Sequence, residues 1–180
     1  MKNAPYKKLL TYKYALIIND FTRAFTKRYT RRFGSWRDED QMNQAARSGK
    51  QCIAEGATQG TSLKGYLKML GVTRGSFEEL REDYLDIARR LNISVWNKGD
   101  MRWRRYRIYI SEEQSVPPIP PIPPDMEIFT NVMIDILTRE NYLLDQQIRS
   151  LVEKHKKEGG FTEKLYRERK KYRSGRSYRE

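Results

Sequence analysis

Along residues 14–32, "YALIINDFTRAFTKRYTRR", the apolar side chains fall at Tyr14, Ile17 or Ile18, Phe21, Phe25 and Tyr29, with polar residues between them. Steps of three and four bring these positions to one face of a helix, so the pattern predicts an amphipathic helix. "FGS" interrupts it. Ser35, with Asp38 three residues on, has the form of a capping box that opens a second helix running to about Gln59. The inward face of that helix reads Met42, Ala45, Gly49, Cys52, Ile53 and Gly56, small residues that let a neighbouring helix come close. The third segment is the most regular: Leu63, Tyr66, Leu70, Thr73, Phe77, Leu80, Tyr84, Ile87 and Leu91 form one seam with a single polar position, Thr73. Gly71 and Gly75 lie within it. Each costs about 1 kcal/mol in an exposed helix interior, and their spacing predicts a close helix crossing that compensates.

Beyond Leu91 the periodicity stops for more than thirty residues. "SVPPIPPIPPD" then gathers six of the seven prolines, and residues 117–124 as polyproline II would span roughly 25 Å as a semi-rigid strut. Asp125 is placed to cap a fourth helix, with apolar residues Phe129, Met133, Ile136, Leu143 or Leu144, Ile148 and Leu151 leading to Gly159 and Gly160. Thr162 is read as the cap of a short basic helix after them. Four long helices without a strand pattern predict an all-α chain. The expected organisation is an antiparallel four-helix bundle over 1–160, with an insertion at about 92–124 before helix four, and a basic C-terminal extension over 161–180.

Charge changes this picture most. The chain has 180 residues and a net charge of +13, which favours a polyanionic partner. The excess is local: residues 1–32 carry nine basic and one acidic side chain, 97–107 five and one, and 161–180 eight and three, whereas 33–96 carries nine of each. A single cysteine, Cys52, rules out an internal disulfide. Lys7, Lys8 and Lys13 break the N-terminal apolar runs, and no later run approaches membrane-spanning length, so a cytoplasmic protein without membrane contact is expected.

The search for chemistry comes up nearly empty. A di-metal helical site needs Glu-x-x-His on facing helices, and Val152 stands three residues before the sole histidine, His155. Cys52, on the small-residue face with no histidine on its helix, reads as a buried structural thiol. Glu78, Glu79, Glu82, Asp83 and Asp86 are interleaved with Arg74, Arg81, Arg89 and Arg90, which reads as a salt-bridged helix face. No glycine loop of a nucleotide-binding type follows a strand. Neither an enzyme nor a cofactor or metal is expected.

The basic clusters remain. On helix one, Arg23, Lys27 and Arg31 repeat every four residues and repel one another, so a phosphate backbone or a carboxylate from another subunit is their counterpart. In "GDMRWRRYRIYIS", Arg102, Arg104, Arg105 and Arg107 can meet phosphates while Trp103, Tyr106 and Tyr109 can stack on unpaired bases. The competing reading is that Trp96 and Trp103 pin the insertion to the helices. The tail repeats the interleaving of Tyr and Arg and includes Arg169, Lys170, Lys171 and Arg173, with Tyr178 and Arg179 beyond.

Helices two and three also carry a family likeness. "RSGKQCIAEGATQGTSLKGYLKMLGVTRGSFEELREDYLDIARRLNI" resembles the bacterial four-helix-bundle proteins of the large-subunit (23S) rRNA intervening-sequence family, a fold shared with the accessory variability proteins of diversity-generating retroelements. The likeness runs through Ile53-Ala54-Glu55-Gly56 and through Gly75, Ser76, Glu79 and Leu80, and with helix one covers roughly residues 8–95. "NYLLDQQIRSLVEKHKKEGGFTEKLYRERKKYR" is similar to the C-terminal extension of members called four-helix-bundle suffix proteins. The resemblance implies a basic, non-enzymatic homo-oligomer, pentameric in the short members. In the retroelement branch it implies an accessory role binding RNA and a reverse transcriptase. Gly49, Ile53, Ala54, Gly56, Gly71 and Gly75 are expected to be helix-packing positions, and Glu55 to make a hydrogen bond or ion pair inside the bundle.

Overall fold

The computed structural model describes residues 4–58, 62–110 and 117–176. Among them the chain is all-helical, without a strand. After a 3-10 turn at Pro5–Lys8 come α1 (Leu10–Phe33), α2 (Trp36–Thr58), α3 (Leu63–Arg90), the single turn α4 (Trp103–Tyr106), α5 (Met126–Glu158) and α6 (Phe161–Arg176). Gln59, Tyr178 and Arg179 lie outside the described residues.

Local chemistry sets the ends. At the start of α2 the Ser35 backbone N–H donates to Asp38 Oδ2 at 2.7 Å and the Arg37 N–H donates to Ser35 Oγ at 3.2 Å, the reciprocal arrangement the sequence predicted. Ser62 caps α3 by accepting from Gly65, and Asp125 caps α5 by accepting from Ile128 at 2.8 Å. Asn92, at φ 53°, turns the chain out of α3 through a left-handed residue that asparagine tolerates. Gly159 at φ 74° does the same after α5. Thr162 does not cap α6. It lies within the helix, and the carboxylate of Glu163 accepts instead from the Gly160 N–H at 3.1 Å.

Each of the four long helices α1, α2, α3 and α5 packs on two others: α1 on α2 and α5, and α3 on the same pair. The predicted seams fill the space between them. Tyr14, Ile17, Ile18, Phe21, Phe25 and Tyr29 of α1 are buried, as are Leu70, Thr73, Phe77, Leu80, Tyr84 and Ile87 of α3. Phe25 lies at the centre of an aromatic cluster, 4.9 Å from the Tyr84 ring and 5.3 Å from that of Phe129, both edge-on.

The close helix approach is made by other glycines than Gly71 and Gly75. A Cβ on Gly49 would stand 2.4 Å from the Phe77 ring, and one on Gly56 would stand 2.6 Å from Tyr66. Gly71 and Gly75 are exposed, with nothing within 4 Å of the place a Cβ would occupy, so the crossing expected there is not made within the subunit. The seam itself explains this. Both glycines stand two residues from inward-facing Thr73, which is about 200° around the helix. Ile53 is fully buried and Ala54 half-buried.

Candidate nucleic-acid interface

Residues 97–107 are built into the protein by their own charges. Asp100 accepts from the Arg102 backbone N–H at 2.9 Å and from its guanidinium at 2.7 Å, and Arg102 donates a further bond of 2.7 Å to Glu127 of α5. The Arg102 guanidinium beside Asp100 pulls that carboxyl down to about 2, so the pair stays ionised at any ordinary pH. The same guanidinium lies 4.3 Å over the Trp96 ring. Trp96 donates from its indole to Glu127 at 3.1 Å and from its backbone to Asn131 at 2.8 Å. Trp103 donates to the Asn97 carbonyl at 2.9 Å and meets Trp96 edge-on at 4.9 Å. Arg107 lies 5.1 Å over Trp103 and reaches Asp135 at 3.3 Å, where Arg139 also binds.

Of the seven residues expected to meet nucleic acid here, Trp103 is buried, Tyr106 and Arg107 are half-buried, and Arg102, though exposed, is held in ion pairs. Trp103 is a buried anchor rather than a stacking platform, because Trp96 and Arg107 occupy its surroundings. Arg102 and Arg107 have acidic partners. Arg104 and Arg105 are exposed and form no ion pair among the described residues.

The other two clusters differ. On α1, Arg23, Lys27 and Arg31 are all exposed and without an ion pair among the described residues. Arg28, on the same helix, is diverted to the Pro-rich strut, donating to the carbonyl of Pro124 at 2.9 Å and that of Pro123 at 3.4 Å. Arg169, Lys170, Lys171 and Arg173 lie on α6, whose described side chains are all exposed. This helix is joined to α5 at Gly159 and Gly160, with Lys164 paired to Glu158 at 2.9 Å.

The candidate catalytic groups go elsewhere. Glu55 is exposed on α2, which corrects the expectation of an internal bond. Cys52 is half-buried, and burial pushes its thiol up, away from the reactive thiolate. Arg74 pairs with Asp145 of α5 at 2.6 Å rather than with Glu78, which accepts from Asn141 at 2.6 Å. Among the described residues no group of His, Cys, Asp or Glu is placed to hold a metal ion.

One group went unnoticed in the sequence. Glu140 is fully buried on α5, and neither carboxylate oxygen has a hydrogen-bond partner. Burial raises its pKa well above the ordinary value, which favours the protonated form. Its signal was the unread position between Ile136 and Leu144, which falls on the α5 seam.

Comparison of the chain with family models, with curated proteins and with solved structures gives no match, so the residues themselves carry the functional reading.

Proposed function

We propose that α1, α2, α3 and α5 form an antiparallel four-helix bundle, with 92–124 as an insertion before its last helix. In this reading the chain is a self-associating, non-enzymatic, cytoplasmic protein that binds nucleic acid, RNA favoured, chiefly through the phosphate backbone. The interface is Arg23, Lys27 and Arg31 of α1, Arg104 and Arg105 beside α4, and Arg169, Lys170, Lys171 and Arg173 of α6. One observation carries the reading: these cations are exposed and without acidic partners among the described residues, while Arg102, Arg107 and Arg28 of the same basic segments are bonded to other parts of the chain. Uncompensated like charge on a helix face is favourable only opposite an anion, and releasing condensed counterions rewards the contact.

Retention on mixed-sequence RNA that falls steeply with salt is the expected result. Absence of binding at low salt would remove the proposal. Resemblance to the intervening-sequence family adds an expected assembly near five subunits by light scattering.

A second reading has its own support. Phe161, Leu165 and Tyr166 are large apolar residues exposed on α6, which suits a docking helix for an acidic protein such as a polymerase or reverse transcriptase. Replacing Phe161 and Leu165 by Ser should leave RNA retention unchanged while abolishing capture of such a partner.

A further inference from the structure

A cleft of about 570 Å³ opens between the insertion and α5, within the size range of small-ligand sites. Its floor is Trp96 and Trp103, and its wall is the outer face of α5. Two features set it apart from an ordinary surface groove.

The first is an excess of positive charge that the described residues do not neutralise. Arg107 and Arg139 share the single carboxylate of Asp135, and Lys98 lies on the same cleft. The Nε–H of each guanidinium is buried and has no acceptor. Each of these arginines still keeps about a quarter of its side chain exposed, 28% for Arg107 and 26% for Arg139. A guanidinium has five donors in a fixed fork, and one carboxylate cannot satisfy two of them. Arg139 also donates to the Tyr14 hydroxyl at 3.3 Å, yet among the described residues the cluster holds one carboxylate for two guanidinium groups.

The second feature is aromatic. Tyr109 from the insertion and Tyr142 from α5 line the same cleft, yet are 77% and 63% exposed. The Arg139 guanidinium lies 5.6 Å from the centre of the Tyr109 ring, and the Tyr142 ring is left open to the cleft. Rings of this kind stack on unpaired bases irrespective of sequence.

An anion joined to a flat aromatic group is what satisfies both features, and we infer that this cleft binds one unstacked nucleotide of a single strand. The base lies against Tyr142 and Tyr109, and its phosphate meets Arg107, Arg139 and Lys98. The assignment rests on the nucleic-acid reading above and extends it from backbone contact to capture of a base. A polymer is favoured over an isolated aromatic anion because Arg107 and Tyr109 also line the neighbouring cleft beneath the Pro-rich strut, together with Arg105. Neighbouring nucleotides thus have a cationic path out of the site.

The test uses the full chain with Trp36→Phe, which leaves Trp96 and Trp103 as the only indoles. Uridine monophosphate should quench their fluorescence saturably, uridine should do so far more weakly, and a short oligouridylate should bind more tightly than the monomer. Tyr142→Ala, at an exposed position that leaves the fold intact, should weaken both ligands about tenfold or more, whereas Tyr142→Phe should restore them. Oligouridylate bound equally by wild type and Tyr142→Ala, with no quenching by the monophosphate, would overturn the cleft assignment and leave backbone binding standing. A phosphotyrosine peptide quenching at lower concentration than any nucleotide would overturn it in favour of a protein ligand. Failure to bind any RNA at low salt would remove both this inference and the reading beneath it.

Discussion

The stretch 97–107 and helix α6 are built from nearly the same residues, arginines and lysines interleaved with aromatics, and they end in opposite conditions. In the first, Asp100, Glu127 and Asp135 are placed to receive Arg102 and Arg107, and two tryptophans stack beneath the guanidinium groups. In the second, among the described basic side chains only Lys164 is paired across to another element, with Glu158, and every described side chain is exposed. Basic-aromatic composition therefore does not define an interface. What decides is whether carboxylates and a hydrophobic seat lie within reach. Where they do, the cations become structural; where they do not, they are left for a partner.

The sharpest way to break that contrast is to remove one aromatic from each region. Trp103→Ala should destabilise the protein by about 3–5 kcal/mol, as expected for a buried tryptophan, and lower the melting temperature markedly. Tyr166→Ala on α6, 69% exposed, should change stability by no more than about 0.5 kcal/mol. Equal melting curves for the two variants would show that residues 97–107 are not anchored by Trp103.

A smaller effect separates the glycines. Gly49→Ala should cost about 1–3 kcal/mol, because its methyl group would meet the Phe77 ring. Gly75→Ala should stabilise by up to about 1 kcal/mol, since it adds helix propensity in open space. Denaturant titration of both variants distinguishes the packed α2 face from the outer α3 face. Loss of stability in Gly75→Ala would indicate that this face is covered, as it would be within an oligomer.

The buried and crowded carboxylates add a pH dependence of smaller size. Asp83 is raised to about 6 by partial burial and by the charges of Glu79, Asp86 and Asp38, with Arg90 opposing. Its folded value exceeds its unfolded one of about 4, so the folded state holds the proton more tightly and stability falls as pH rises from about 4 to 6. Glu140 acts in the same direction from its unfolded value of about 4.3 upward. Asp83→Asn and Glu140→Gln should each flatten the decline and be more stable than wild type at pH 7, measured as melting temperature against pH. A wild-type protein that gains stability between pH 4 and 6 would contradict the sign.

Much of the helical framework was legible because helix seams and caps are local. The α1 and α3 faces, the Ser35–Asp38 box, the Asp125 cap and the break at Gly159 all appear where a few neighbouring residues dictate them. The fates of the glycines and arginines were not equally legible, because they depend on what stands opposite. Gly49 and Gly75 look alike in sequence, and only Phe77 against one of them separates their roles. Asp100, two residues before Arg102, lies within the stretch, but Glu127 and Asp135, which hold Arg102 and Arg107 to α5, lie more than twenty residues downstream, where spacing within the stretch could not reveal them. Glu140 is the intermediate case, since it falls on a seam that the sequence showed.

The central claim is that exposed cations without an ion pair bind nucleic acid while ion-paired Arg102 fixes residues 97–107, and the salt dependence of RNA binding tests it most directly. Changing Arg169, Lys170, Lys171 and Arg173 together to Gln should flatten the log–log slope by up to about 3, at roughly 0.7 per phosphate contact on a single strand, with helical circular dichroism unchanged. Changing Arg102 alone to Gln should lower the melting temperature while the folded fraction keeps the wild-type slope. The account is contradicted if the α6 variant retains the full slope, or if the Arg102 variant loses it while melting like the wild type.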